Sequence, residues 1–208
     1  MTPQRSSNSD PDVVDVEARP VSPSTATTAT TAATAPRRID AAFMGFHPAR
    51  WIALGFGSGL SPWAPGTAGT LWGWLTFWLL DPGVQRLGGA GGWGIVLLLG
   101  FVIGWWACTT AARHAHIDDP GAIVWDEVLA IWAILWVLGP VGFWAQFGAF
   151  ALFRYFDAAK PGPVRWADRR FKGGGWRGGF GILFDDLVAA FCTLFTIALG
   201  VALWRAVA

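Results

Sequence analysis

The chain has 208 residues, 53% of them hydrophobic and only 14% charged, against roughly a quarter charged in an ordinary soluble domain. The charge is unevenly placed, since residues 51–80, 87–112, 128–153 and 187–204 contain no Asp, Glu, Lys or Arg. This excludes a plain soluble domain, and a formal net charge of +1 gives no electrostatic reason to expect nucleic acid as a partner.

Residues 1–40 carry five acids, and Thr25 to Ala35 is made only of Thr and Ala. Such a composition cannot bury a core, so residues 1–42 are expected to form a disordered Thr/Ala/Pro-rich cytoplasmic tail ahead of a membrane-embedded domain over 43–208. The first 40 residues contain no apolar run of the kind a signal peptide needs. The block from Trp51 to Leu80 is interrupted by Ser61-Pro-Trp-Ala-Pro-Gly-Thr67. Two prolines so close together remove helix hydrogen bonds, which predicts a broken or re-entrant first segment and then a helix from Ala68 to Leu80.

Trp93 to Ala112 is the cleanest crossing segment. Ile123 to Phe156 is too long for one crossing, and Gly139-Pro140 divides it, which predicts a tight helical hairpin. Gly173 to Gly179 reads as a flexible linker, and a last span runs from Gly181 to Trp204. The expected fold is therefore an all-α polytopic membrane bundle of four to five segments. All 15 Trp lie at or beyond Trp51, many near block ends, where indoles favour the membrane interface. Cys108 and Cys192 each sit inside an apolar block, which leaves packing as their role.

Five Lys and Arg fall in residues 1–50, one in 81–92, one at Arg113, seven in 154–179 and one at Arg205. With the hairpin counted as two crossings, the tail, the Arg113 link and the seven-cation loop share a side, which the positive-inside rule makes the cytoplasm. Of the nine acids beyond residue 50, Asp81 then faces outside. The other eight (Asp118, Asp119, Asp126, Glu127, Asp157, Asp168, Asp185 and Asp186) gather at the cytoplasmic ends of the spans. Asp126-Glu127 and Asp185-Asp186 stand inside apolar helices, where an unpaired carboxylate costs several kcal/mol. Capping of helix N-termini is the competing explanation, but capping needs one acid per helix.

Hard oxygen ligands around a cytoplasmic pocket suit Mg²⁺, and nearby Arg154, Lys160 and Arg165 have the charge to hold a phosphate. The stretch Gly55 to Thr67 offers backbone N–H groups and three hydroxyls at the same face, an anion nest in which Ser58, Gly59 and Thr67 are candidate substrate-binding residues. A cysteine phosphate-binding loop, a GxxxxGK[ST] loop and a complete HxHxDH metal motif are all lacking from the sequence.

Four motifs occur in one order: Gly55-Phe-Gly-Ser-Gly-Leu-Ser-Pro62 with Pro65-Gly-Thr67, Ile123-Val-Trp-Asp-Glu127, Phe153-Arg-Tyr-Phe-Asp-Ala-Ala-Lys-Pro161, and Gly178-Gly-Phe-Gly-Ile-Leu-Phe-Asp-Asp186. The ordered set resembles the phosphatidylglycerophosphatase A family over residues 50–204. The resemblance implies a Mg²⁺-dependent phosphatase of the bacterial inner membrane, with its active site facing the cytoplasm. Its implied reaction converts the phospholipid phosphatidylglycerophosphate to phosphatidylglycerol and phosphate, with no obligate protein partner.

Asp126, Glu127, Asp157, Lys160, Asp185 and Asp186 match the family's polar positions. Ala130 and Ala190 stand where glycine is expected, and the loop from Arg169 to Gly179 is longer than usual. Asp126, Glu127, Asp185 and Asp186 are the expected Mg²⁺ ligands. Asp157 is expected to orient or deprotonate water, with Arg154 and Lys160 on the phosphate; an aspartyl-phosphate route remains open. The competing functions are a cation-coupled transporter that uses the same acids as an ion site, and a phosphatase for another lipid phosphate.

Overall fold

The computed structural model describes residues 36–45 and 47–208, and among these every regular element is helical. The body opens with two short helices, α1 (Ala41–Met44) and α2 (Pro48–Ala53). Asp40 caps α1, its carboxylate accepting the Phe43 N–H at 2.9 Å. A 3₁₀ segment, Gly55–Leu60, follows; it bends back through positive φ at Phe56 and Gly57, which separates it from the helices on either side. The expected disordered tail lies outside the described residues up to position 35.

Five longer helices run alternately up and down the bundle: α3 (Pro65–Gly88), α4 (Gly92–Ala115), α5 (Trp125–Leu138), α6 (Phe143–Ala159) and α8 (Gly175–Val207), with a short α7 (Pro163–Arg170) between the last two. Pro65 begins α3 in its first turn, where a missing N–H costs nothing. The expected end of that helix at Leu80 is corrected: α3 continues through Pro82 to Gly88. The hairpin break falls at Gly139, whose φ of +68° ends α5 and turns the chain toward α6.

The linker expected over Gly173–Gly179 is also corrected, because α8 begins at Gly175. Gly179 is buried against α4, and a methyl there would run into the Thr109 side chain and backbone. The glycines in this stretch permit close helix packing as well as a turn.

α5 forms the centre. Nearly every residue from Trp125 to Leu135 is buried, and it packs on α3, α4, α6 and α8. Two indoles fasten it to its neighbours: Trp125 Nε1 donates to the Gly100 carbonyl at 3.0 Å and Trp132 Nε1 to the Gly73 carbonyl at 2.9 Å. Both bonds use backbone oxygens exposed by glycine. The outer faces are the reverse, with Leu98, Leu99 and Val102 on α4 and Phe191, Phe195 and Leu203 on α8 exposed. An apolar exterior of this extent needs a non-aqueous neighbour.

α4 and α8 are the two helices among the described residues long and apolar enough to cross a bilayer. With 14 and 17 residues, α5 and α6 are about 21 and 26 Å long at 1.5 Å per residue, each short of a core of about 30 Å.

Candidate active site

The up-and-down order brings the start of α3, the start of α5, the end of α6 and the N-terminal third of α8 to one end of the bundle. Asp126 and Glu127 occupy the first turn of α5, where a helix favours negative charge. Asp186 reaches them from α8. One carboxylate oxygen from each of Asp126, Glu127 and Asp186 lies within 4.8 Å of the others. Glu127 and Asp186 are buried and Asp126 is half-buried.

Asp126 Oδ1, Glu127 Oε2 and Asp186 Oδ2 are each buried without a hydrogen-bond partner. Orphaned anionic oxygens inside a protein are costly. The same three carboxylates come within 4.8 Å of one another, and three acids so grouped, each with an unpartnered buried oxygen, fit a hard divalent cation by number and chemistry.

Arg154 and Asp157, one turn apart on α6, flank this trio. The Arg154 guanidinium lies 2.6 Å from Asp157 Oδ2 and 3.7 Å from Glu127 Oε1, and donates to the buried Thr70 hydroxyl at 3.4 Å. Asp157 also lies against Asp186. The N-terminal turn of α3 closes the site. A methyl at Gly66 would collide with Glu127 Oε1 and the Arg154 guanidinium, so only glycine admits them this close. Thr70 is held in turn by its bond to the Gly66 carbonyl at 2.8 Å.

Asp185, expected among the metal ligands, belongs to a different cluster. Consecutive helical residues diverge by about 100°, and Asp185 accepts from Lys160 at 2.5 Å. Lys160 simultaneously donates to Asp168 of α7 at 2.7 Å, and Lys172 pairs with the other Asp168 oxygen at 2.9 Å. Lys160 closes α6 with left-handed backbone, φ +43°, and clips α7 to α8.

Burial disfavours the charged ammonium, but the hydrogen bonds to Asp168 and Asp185 outweigh it and hold Lys160 above the ordinary lysine range. Burial would likewise raise Asp168, but its bonds from Lys160 and Lys172 outweigh that and hold it below the ordinary carboxylate range. Beside the clip, Asp118, Asp119, Asp168 and Asp185 line a cavity of about 150 Å³.

The other expected substrate contacts divide. Ser58 spends its hydroxyl on the Gly55 carbonyl at 2.9 Å, and Gly59 is buried where a methyl would strike the Ala122 carbonyl; both serve the turn. Thr67 stands in the first turn of α3, beside Gly66. Sequence reading assigned no role to Thr70 and placed Gly66 in the break before a helix from Ala68, whereas α3 begins at Pro65 and takes Gly66 into its first turn. Asp81 lies at the other end of α3, where it accepts from Trp93 Nε1 at 2.8 Å.

A buried acid trio with a guanidinium beside it thus stands at one end of a helical bundle with two membrane-length helices. A family model described as Phosphatidylglycerophosphatase A matches residues 51–201, and the chain belongs to that family. Phosphatidylglycerophosphatase A of Escherichia coli (strain K12) is 39% identical over 151 residues, covering 69% of this chain and 77% of that protein.

The protein of the same name from Haemophilus influenzae (strain ATCC 51907) is 36% identical over 144 residues, covering 69% and 83%. A Bacteroides thetaiotaomicron protein, provisionally named a phosphatidylinositol-3-phosphatase, is 36% identical over 158 residues, covering 74% and 92%. No solved structure matches the chain.

Proposed function

We propose that the chain hydrolyses the phosphate monoester of phosphatidylglycerophosphate at the cytoplasmic face of a bacterial inner membrane, releasing phosphatidylglycerol and phosphate. The observation that carries the reading is the grouping of three carboxylates, each with a buried unpartnered oxygen, beside Arg154. The curated names of the Escherichia coli and Haemophilus influenzae relatives support the substrate.

Asp126, Glu127 and Asp186 hold Mg²⁺ in this reading. When bound, the ion polarises the phosphoryl group and offsets its developing charge. Arg154 takes the phosphate oxygens, leaving Asp157 free to accept a proton from the attacking water. The first turn of α3, with Gly66 and Thr67, supplies dipole and hydrogen bonds on the phosphate side, and Thr70 helps hold Arg154 there. Lys160 and Asp185 hold α7 and α8 in place around the site.

The membrane disposition is five segments, α3, α4, α5, α6 and α8, with α5 and α6 as a short hairpin. The basic 154–177 region lies on the cytoplasmic side by the positive-inside rule.

The test is phosphate release by purified protein from a panel of lipid phosphates, with Mg²⁺ and with excess chelator. Release from phosphatidylglycerophosphate that stops in chelator and returns with Mg²⁺ is expected. Full activity in chelator overturns the metal assignment, and preference for a phosphoinositide, the substrate named for the Bacteroides thetaiotaomicron relative, overturns the substrate assignment.

A further inference from the structure

α7 carries a separate chemistry at the same end of the bundle. Val164 and Ala167 are buried, with α8 as the helix against which α7 packs, whereas Arg165, Trp166, Arg169 and Arg170 are exposed. The spacing sets Arg165 with Arg169, and Trp166 with Arg170, one turn apart along the outer face. Together with Gly162 these four residues line an open groove. The nearest acid on the helix, Asp168, is already engaged by Lys160 and Lys172, and no ion pair of Arg165, Arg169 or Arg170 occurs among the described residues. Arg177, from the start of α8, donates to the Arg170 carbonyl at 3.2 Å and brings a fourth cation to the cluster.

Unpaired guanidinium groups on a folded surface attract anions, and the exposed indole narrows the class. Trp166 is 60% exposed, and on a short amphipathic helix at the end of membrane-length helices an indole beside arginines suits the headgroup layer, apolar body inward and N–H toward water. An acidic protein surface would use the arginines and leave the indole without a purpose. A lipid headgroup uses both.

We propose that α7 lies in the plane of the membrane and that its face of Arg165, Trp166, Arg169 and Arg170 docks on the phosphate groups of anionic phospholipids in the surrounding leaflet. This docking surface is distinct from the carboxylate trio and does not depend on which phosphomonoester the trio cleaves. It gives the Lys160 clip a second consequence, because the helix that touches the headgroups is tied through Asp168 and Lys160 to Asp185, the neighbour of Asp186.

The full-length protein in zwitterionic detergent micelles would be titrated with dansyl-labelled phosphatidylglycerol or dansyl-labelled phosphatidylcholine, reading energy transfer from tryptophan. The expected result is preferential transfer to phosphatidylglycerol that falls as salt rises. The triple variant R165Q/R169Q/R170Q should lower the apparent affinity at least about tenfold, the scale expected when several basic residues leave an anionic surface. The triple lysine variant R165K/R169K/R170K should keep most of the preference.

Equal transfer to both lipids in the wild-type protein overturns the proposal, as does an undiminished preference in the glutamine variant. Inorganic phosphate at millimolar concentration should leave the transfer unchanged; displacement by it would assign the face to free phosphate. Because binding is read without turnover, failure of the phosphatase reading leaves this outcome interpretable.

Discussion

Asp185 and Asp186 are consecutive, yet they meet different partners: Asp186 joins Asp126 and Glu127, and Asp185 joins Lys160. The two amide substitutions should therefore separate. Asp186→Asn, like Asp126→Asn and Glu127→Gln, should lower turnover about 100-fold or more, the usual loss on removing a charge-stabilising group, and raise the Mg²⁺ concentration needed for half activity. Asp185→Asn should leave that Mg²⁺ requirement near the wild-type value while loosening α7. A Mg²⁺ titration of each purified variant checks the split, and equal shifts at 185 and 186 would remove it. The run of acids was legible in the sequence because each interrupts an apolar segment. Which acid of a pair faces the centre was not, since that depends on the rotational phase of α8 against α5, set by contacts such as Gly179 on Thr109.

The α7 element is held by charge, so its attachment depends on pH in two directions. Asp168 is held below the ordinary carboxylate range, so its contribution is present above that range and is lost as pH falls through the lowered value. Lys160 is held above the ordinary lysine range, so its contribution is complete below that range and is lost as pH rises through the raised value. The amide protection factors over residues 163–170, with the base-catalysed intrinsic rate divided out, should thus be flat between about pH 7 and 9 and fall at either extreme. Asp168→Asn should raise exchange across the plateau and remove the acid limb. An unchanged plateau in that variant would show that the buried Val164 and Ala167 hold α7 without the clip. Elements were legible where backbone chemistry announces them, as Gly139-Pro140 divides α5 from α6, but Pro65 read as a break although it opens α3. They were illegible where glycine serves packing, because Gly178 and Gly179 read as a loop until the surface of α4 is known, and Pro82 reads as a stop although α3 continues through it.

For the molecule as a whole, the working body reaches further toward the N-terminus than the apolar blocks do. The Arg37 N–H donates to the Ala115 carbonyl at 2.9 Å, joining the segment before α1 to the end of α4, and Asp40 caps α1. Deleting residues 2–35 should leave specific activity and thermal stability close to those of the full chain. Deleting 2–40 should cost about 1 kcal/mol through the lost cap, with more from the lost anchor, read as a lower midpoint in a thermal melt. Equal melts for the two truncations would show that neither contact matters. The central helix has a further consequence. At about 21 Å, α5 is shorter than a bilayer core of about 30 Å, and it carries Asp126 and Glu127 at one end and the Gly139 turn at the other. Because α5 is enclosed by α3, α4, α6 and α8, the proposed five-segment disposition sinks its polar ends below the headgroup plane. On the proposed function, acyl-chain length should then bear on turnover: a thicker bilayer would lift the headgroup plane away from the carboxylates, and a thinner one would bring the scissile phosphate down to them.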